Sequence, residues 1–182
     1  MRKVIAYIAT SLDGFIARPD DDVSWLDPFN AGGEDYGFAD FMKTVGTAVM
    51  GARTYEQSLA HPERLLSGVK NYVLTSRFLP PAPGSEVVFW HGPLTGLVRK
   101  IRAESKKDIY IVGGGRVISR FLDEGLIDEI WQFVVPVLLK EGIPLYTGLR
   151  EEVSLQLVET TPYSTGIVKL RYQPVKSTRE RS

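Results

Sequence analysis

Apolar residues along this chain occur in two kinds of segment that alternate from the N terminus onward. Short runs rich in valine and isoleucine predict buried strands at 3–10, 47–50, 70–75, 86–90 and 109–112. Segments in which apolar residues recur every three or four positions predict amphipathic helices at 34–45, 53–59, 94–101 and 116–122. Strands that alternate with helices indicate a mostly parallel sheet with helices on both faces.

The C-terminal part of the chain has a different pattern, in which strands follow one another. Three strands are predicted there, and apolar and polar residues alternate along the last two: 128–137, 153–161 and 166–172. Ser164-Thr165-Gly166 has the composition of a hairpin turn. We therefore expect a single α/β domain over residues 1–174, with a C-terminal antiparallel hairpin at the edge of the sheet. Residues 175–182 are polar and predict a disordered tail.

Two of the predicted strands lead into their helices through glycine. Gly51 follows one strand, and the consecutive Gly113, Gly114 and Gly115 follow another. Consecutive glycines let the backbone approach a ligand closely, and the helix N terminus beyond them attracts a phosphate. The pattern is neither G-x-G-x-x-G nor a P-loop, so a tight turn without a ligand is an alternative interpretation.

Arginine and hydroxyl side chains follow three of the predicted strands: Arg53, Thr54, Thr75, Ser76, Arg77 and Arg116. Because the carboxyl ends of parallel strands meet at one edge of a sheet, we expect these side chains to converge. Together they would hold a dinucleotide pyrophosphate and a ribose 2′-phosphate, which would select NADPH over NADH. Taken singly, each arginine has the alternative of a solvated position on a helix or loop.

Composition and charge narrow the classes of function. The chain has 22 basic and 22 acidic residues among 182, so no overall charge attracts nucleic acid or a membrane surface. The absence of cysteine excludes disulfides, thiolate catalysis and cysteine-ligated zinc. The two histidines, His61 and His91, are too few for a histidine metal cluster, and we expect both at the surface without a metal. With no apolar run long enough to cross a bilayer, a cytoplasmic protein is expected.

Several segments resemble the dihydrofolate reductase superfamily in order and spacing: 48–56, 70–77 and 109–117. Three more segments resemble the reductase domain of the bifunctional deaminase-reductase of riboflavin biosynthesis, in its stand-alone bacterial form: 11–17, 128–130 and 136–145. The resemblance spans residues 3–172 and implies a three-layer dihydrofolate reductase-like fold, an NADPH-dependent reductase and a homodimer. The cysteines that hold the zinc of the deaminase are absent from the sequence, which excludes deamination.

The resemblance also implies which residues bind the cofactor. Ala9 and Ile16 would touch the nicotinamide, and a cis peptide is implied between Gly113 and Gly114. Ala52 stands where many relatives carry a basic residue, which reduces the expected phosphate contacts. The full set of implied cofactor residues is Ala9, Ile16, Gly51, Arg53, Thr54, Thr75, Ser76, Arg77, Val112, Gly113, Gly114, Gly115, Arg116 and Val117.

The substrate side rests on fewer residues. Counting back from Gly51 places Asp35 where dihydrofolate reductases keep a carboxylate, so a buried Asp35 would bind an N–C–N edge and assist protonation. The alternative is an acid in the first turn of a helix, stabilised by the helix dipole. Asp13 is predicted either to contact the substrate or to form the turn before Gly14. The remaining substrate candidates are aromatic residues that would stack on a flat heterocycle or else belong to the core: Trp25, Tyr36 and Phe38.

Three functions are consistent with these patterns. The first is an NADPH-dependent reductase that transfers hydride from the nicotinamide C4 to a small heterocycle or imine. By resemblance, its substrate would be of the 5-amino-6-(5-phosphoribosylamino)uracil type, and dihydrofolate is the enzymatic alternative. A protein that binds NADPH without turnover is the third possibility.

Overall fold

The computed structural model describes residues 2–60 and 66–175. Ten strands are assigned there: β1 Val4–Ser11, β2 Phe15–Ala17, β3 Val45–Gly51, β4 Lys70–Leu74, β5 Val87–Trp90, β6 Asp108–Gly113, β7 Glu129–Val135, β8 Ile143–Pro144, β9 Leu155–Pro162 and β10 Val168–Pro174. The α-helices are α1 Asp27–Asn30, α2 Phe38–Thr44, α3 Ala52–Ala60, α4 Leu94–Glu104 and α5 Gly115–Asp123. A 3₁₀ turn covers Ser24–Leu26. None of the helices in the described part of the chain is long and apolar enough to cross a membrane.

Eight of the strands form one sheet in the order β5-β4-β3-β6-β1-β7-β10-β9. The first six strands in this order, from β5 at the edge to β7, are parallel to one another. Strand β10 runs antiparallel to both β7 and β9. This arrangement confirms the predicted α/β class and the C-terminal antiparallel hairpin at the sheet edge. The hairpin turn is also confirmed, because Gly166 N–H donates to the Tyr163 carbonyl at 3.0 Å and Gly166 has a φ of 87°.

Helices cover both faces of the sheet, which gives three layers. On one face, α4 and α5 pack on the sheet through side chains that include Leu97 and Phe121. On the other face, Phe41 of α2 packs against Tyr110, and Tyr55 of α3 packs against Val73. Each large apolar side chain that is fully buried contributes about 1.5–3 kcal/mol to folding, so both faces stabilise the sheet.

Two local predictions are wrong. The helix predicted at 34–45 begins only at Phe38, because Tyr36 and Gly37 have φ values of 54° and 81° and cannot continue a right-handed helix. The segment between the strands predicted at 128–137 and 153–161, where no strand is predicted, contains β8, which pairs antiparallel with β2 in a separate two-stranded sheet. His61 and the tail beyond Val175 lie outside the described residues.

Candidate functional site

The two glycine turns are neighbours at the carboxyl edge of the sheet. Strands β3 and β6 are adjacent, and Met50 is the register partner of Gly113. Helices α3 and α5 therefore both begin at this edge, where their first N–H groups have no partner within the helix. Two such N termini side by side form a site with affinity for phosphate oxygens.

Side chains from two other segments approach the Gly113–Gly114 peptide, which is cis as the resemblance implied. A Cβ built on Gly114 would lie 3.8 Å from Thr54 Oγ1 and 3.9 Å from Ile16 Cδ1. Thr54 and Ile16, which are both among the expected cofactor residues, therefore lie beside this peptide, and their contacts with a cofactor remain predictions. A side chain at Gly114 would project into this space, so the glycine keeps it open.

At position 115 a glycine is needed for a different reason, which is close packing. A Cβ on this residue would lie only 2.5 Å from the carbonyl oxygen of Leu145 and 2.6 Å from that of Pro144. The third glycine therefore lets α5 pack against the chain at β8. Its predicted contact with the cofactor remains a prediction.

A cavity of about 430 Å³ lies at the carboxyl ends of β4 and β5 and reaches Ala52, the residue after Gly51. Its lining residues are Ala52, Leu74, Thr75, Ser76, Arg77, Trp90, His91, Gly92, Leu94 and Arg120. The predicted triplet Thr75-Ser76-Arg77 is on this wall, and Thr75 Oγ1 accepts a hydrogen bond from the Arg77 N–H at 2.9 Å. That bond fixes the backbone from which the Arg77 side chain extends.

Seven of the ten lining residues were not predicted as cofactor residues, and three of the seven carry polar or aromatic side chains: Trp90, His91 and Arg120. Trp90 ends β5 and His91 follows it, so the rule that ligands bind at the carboxyl ends of strands could have identified them. Arg120 lies one helical turn after Arg116, and of these two arginines only Arg120 lines the cavity. The predicted role of Arg116 stays a prediction.

Arg53 and Arg77, two of the arginines predicted to bind phosphate, form ion pairs within the chain. Two guanidinium nitrogens of Arg53, Nε and Nη2, contact Asp21 Oδ2 at 2.8 and 2.6 Å. Arg77 Nη2 lies 2.8 Å from Glu56 Oε2. Both arginines are more than half exposed, so a bound anion can replace these carboxylates at little cost. With the open glycine turn, this donor set fits the phosphates of a dinucleotide.

Asp35 lies at the start of α2 with its carboxylate exposed. Its two oxygens accept hydrogen bonds from the N–H groups of Gly37 at 2.9 Å and Ala39 at 3.0 Å. The Ala39 and Gly37 N–H groups hold the pKa of this carboxyl below its usual range. The expected burial of Asp35 is therefore wrong, and the helix-stabilising alternative describes its contacts. A catalytic role remains a prediction.

The Asp13 carboxylate is held by hydrogen bonds within the chain instead of facing an open space. Its carboxylate accepts hydrogen bonds from Ser11 Oγ at 2.6 Å and from the Leu139 and Lys140 N–H groups at 3.1 and 2.8 Å. The Ser11 hydroxyl is the main cause of its lowered pKa. Asp13 thus joins the turn after β1 to the loop after β7, in agreement with the turn alternative.

The aromatic substrate candidates pack in the apolar layer beside β1 and β7. Trp25 is 5% exposed and packs against Phe133, although its indole Nε1 has no hydrogen-bond partner. Tyr36 donates its hydroxyl to the Phe29 carbonyl at 2.6 Å. Phe38 meets Tyr7 edge to face with ring centroids 5.4 Å apart. These contacts support the core alternative, and substrate stacking stays a prediction.

Residues 2–169 match the family model of the RibD C-terminal domain. The chain is 36% identical over 173 residues to YwjB, an uncharacterized protein of Bacillus subtilis (strain 168), covering 94% of this chain and 97% of YwjB. It is also similar to a Shewanella sp. PV-4 protein provisionally assigned to riboflavin biosynthesis. The two share 29% identity and a TM-score of 0.86, over 96% of this chain and 99% of the other.

Two more distant structures share the fold. One is a Thermotoga maritima diaminohydroxyphosphoribosylaminopyrimidine deaminase/5-amino-6-(5-phosphoribosylamino)uracil reductase, 16% identical with a TM-score of 0.69 over 96% of this chain and 57% of that chain. The other is an Enterococcus faecalis dihydrofolate reductase complexed with NADP(H), 20% identical with a TM-score of 0.67 over 94% and 96%. The fold is therefore of the dihydrofolate reductase type, as the resemblance implied.

Proposed function

The chain belongs to the RibD C-terminal domain family, and we propose that it is an NADPH-dependent reductase acting on a small heterocycle or imine. One observation carries the proposal. Two glycine turns lie side by side at the sheet edge, and an open cavity lined by Thr75, Ser76 and Arg77 reaches Ala52 beside the first of them. That arrangement supports hydrogen-bond donors for the pyrophosphate, which joins the two nucleosides, and for the 2′-phosphate of the adenosine.

In this proposal the chain binds and orients the cofactor. The backbone at Gly51 and at Gly113–Gly115 meets the pyrophosphate, with Arg53 and Thr54 as further donors. Thr75, Ser76 and Arg77 hold the adenosine 2′-phosphate. When bound, NADPH supplies hydride from C4 of its nicotinamide. Ala9 and Ile16 form the apolar contacts of the nicotinamide ring and exclude water from it.

The proposed substrate class is that of 5-amino-6-(5-phosphoribosylamino)uracil. Membership of the RibD C-terminal domain family supports this class, as does the reductase named in the Thermotoga maritima protein of the same fold. Dihydrofolate is less well supported, because the Asp35 carboxylate is bound by the α2 backbone and exposed.

Replacing Arg77 tests the cofactor site. Arg77→Ala should weaken NADPH binding by about 1.5–3 kcal/mol, the range for a hydrogen bond to a charged group, with little change for NADH. Isothermal titration with both cofactors measures this difference. Arg99→Ala is the control, because Arg99 is an exposed arginine of α4 outside the cavity lining. Equal losses for both cofactors would overturn the 2′-phosphate assignment.

Thermal shift and turnover separate the enzyme from a binding protein. NADPH should raise the melting temperature of the wild-type protein more than NADH does, because the tighter ligand stabilises the native state more. Oxidation of NADPH in the presence of a ribosylaminopyrimidine should then be detectable by absorbance. Binding without turnover of either a pyrimidine or a pterin would favour the non-catalytic alternative.

We further propose that the protein is a homodimer, as the resemblance implied. The sheet ends at β9, where Leu155, Leu157 and Val158 are 37, 51 and 47% exposed. An edge strand with exposed apolar side chains can pair with a second copy. Sedimentation velocity measures the mass directly, and a monomer at micromolar concentration would contradict the proposal.

A further inference from the structure

We infer that Glu56 is a specificity-determining residue for the cofactor: its carboxylate competes with the adenosine 2′-phosphate for Arg77 and so limits the preference for NADPH over NADH. The inference rests on the proposed function, because it concerns the same cavity. The other ion pair at this site, between Arg53 and Asp21, plays no part in the inference.

The Glu56 carboxylate is in direct contact with Arg77, one of the two arginines that line the cavity. Glu56 Oε2 lies 2.8 Å from Arg77 Nη2. Glu56 belongs to α3, one helical turn after Ala52, and Ala52 itself lines the cavity. The carboxylate therefore reaches Arg77 from the α3 side, while the backbone of Arg77 is held by Thr75.

Arginine binds a phosphate best through two parallel N–H bonds from one side of its planar guanidinium. Glu56 already uses Nη2, so a phosphate must share that group or displace the carboxylate. A dianionic phosphate at Arg77 would also lie close to the negative charge of Glu56. Both effects weaken NADPH binding and have no counterpart in NADH, which lacks the 2′-phosphate.

The same carboxylate is compatible with the ribose of NADH. In dinucleotide-binding folds an acidic residue accepts a hydrogen bond from the ribose 2′-hydroxyl, whereas an arginine accommodates the 2′-phosphate. In this protein Glu56 provides the acidic group and Arg77 provides the arginine, and the two are in contact. Glu56 thus favours a hydroxyl, and Arg77 favours a phosphate.

Arg120 also lines the cavity, and its positive charge attracts a phosphate whether or not Glu56 carries a carboxylate. The first residue of α3, Ala52, is uncharged. Arg77 and Glu56 are 58 and 41% exposed, so water screens their interaction. A change of about two- to five-fold in affinity is therefore expected from removing the carboxylate charge.

The test measures the dissociation constants of NADPH and NADH by isothermal titration for four proteins: the wild type, Glu56→Gln, Arg77→Ala and the double variant. Glu56→Gln should bind NADPH about two- to five-fold more tightly, with NADH unchanged or weaker. In the Arg77→Ala background the same substitution should not tighten NADPH binding, because no cation remains to compete for. Glu124→Gln, at the exposed end of α5, controls for a general change in net charge.

The outcomes separate the inference from the proposed function. A wild-type protein that binds neither cofactor would overturn the proposed function itself. The inference alone is overturned if the wild type binds NADPH but Glu56→Gln binds it no more tightly, or if both cofactors gain equally. Weaker NADPH binding by Glu56→Gln would show that Glu56 positions Arg77 instead.

Discussion

The two ends of the carboxyl edge of the sheet differ in what occupies them. Beside β4 and β5, a cavity of about 430 Å³ stays open between polar and charged side chains. Beside β1 and β7, the corresponding space is filled by the chain's own aromatic residues, with Trp25 buried against Phe133. We call the first the nucleotide end, after the ligand proposed for it, and the second the aromatic end; the first is open, whereas the second is filled by side chains of the chain itself.

The difference follows from how each end is constructed. Near the nucleotide end, β3, β5 and β6 each lead into a helix with at most three residues between, and Thr75-Ser76-Arg77 directly follows β4, so polar groups lie at the rim. The aromatic end is covered by the connection from Arg18 to Gly37, which packs its own side chains onto the sheet. Short sequence motifs therefore predict the residues of the nucleotide end well and those of the aromatic end poorly.

Removing Trp25 should have the largest effect and would test whether the aromatic end is core. Trp25→Ala should lower the free energy of unfolding by about 3–5 kcal/mol, because it leaves a cavity among buried side chains. Trp25→Phe should cost much less, since it retains most of the packing and the indole Nε1 has no partner to lose. Urea denaturation measures both. Wild-type stability of Trp25→Ala together with lost turnover would assign Trp25 to the substrate instead.

A methyl group at Gly115 should have the next largest effect and bears on the nucleotide end. The new Cβ would lie 2.5 and 2.6 Å from two backbone carbonyl oxygens, so Gly115→Ala should cost about 3 kcal/mol through overpacking. Gly96→Ala is the matched control in α4, where a Cβ meets only ordinary contacts at 3.6 and 3.7 Å. The control should gain up to about 1 kcal/mol from higher helix propensity. Equal stabilities of the two variants would show that the junction is looser than the contacts indicate.

Replacing Asp35 should have the smallest effect on stability and would decide its role. Asp35→Ala should lower the melting temperature at pH 7 by removing the acceptor for Gly37 and Ala39, whereas Asp35→Asn retains an acceptor and should stay close to the wild type. If Asp35 acts only on the helix, Asp35→Asn keeps full reductase activity. An inactive but stable Asp35→Asn would establish catalysis.

The pH dependence of Asp35→Ala provides a second measurement. The folded carboxyl has a lowered pKa, so its stabilisation is present above the unfolded value and is lost as pH falls through the folded value. The difference in melting temperature between the wild type and Asp35→Ala should therefore shrink below about pH 3.9. A difference that stays constant over that range would mean that the ionised form is not the one that binds the helix.

The sequence by itself determined the features that depend on local pattern. Apolar periodicity identified the strands and helices of the main sheet, and the paired glycine turns and Thr75-Ser76-Arg77 predicted a nucleotide site at its carboxyl edge. These features could be predicted because glycine conformation, strand burial and helix N termini act over a few residues. The resemblance to known reductases added the fold and the cis Gly113–Gly114 peptide.

Only the tertiary structure decided the features that depend on distant segments. The left-handed conformation at Tyr36 shortened α2, and the pairing of β2 with β8 placed backbone carbonyls against Gly115. The contact of Glu56 with Arg77 joins residues that are 21 positions apart. No local pattern contains this pair, because the fold of α3 over β4 brings the two charges together.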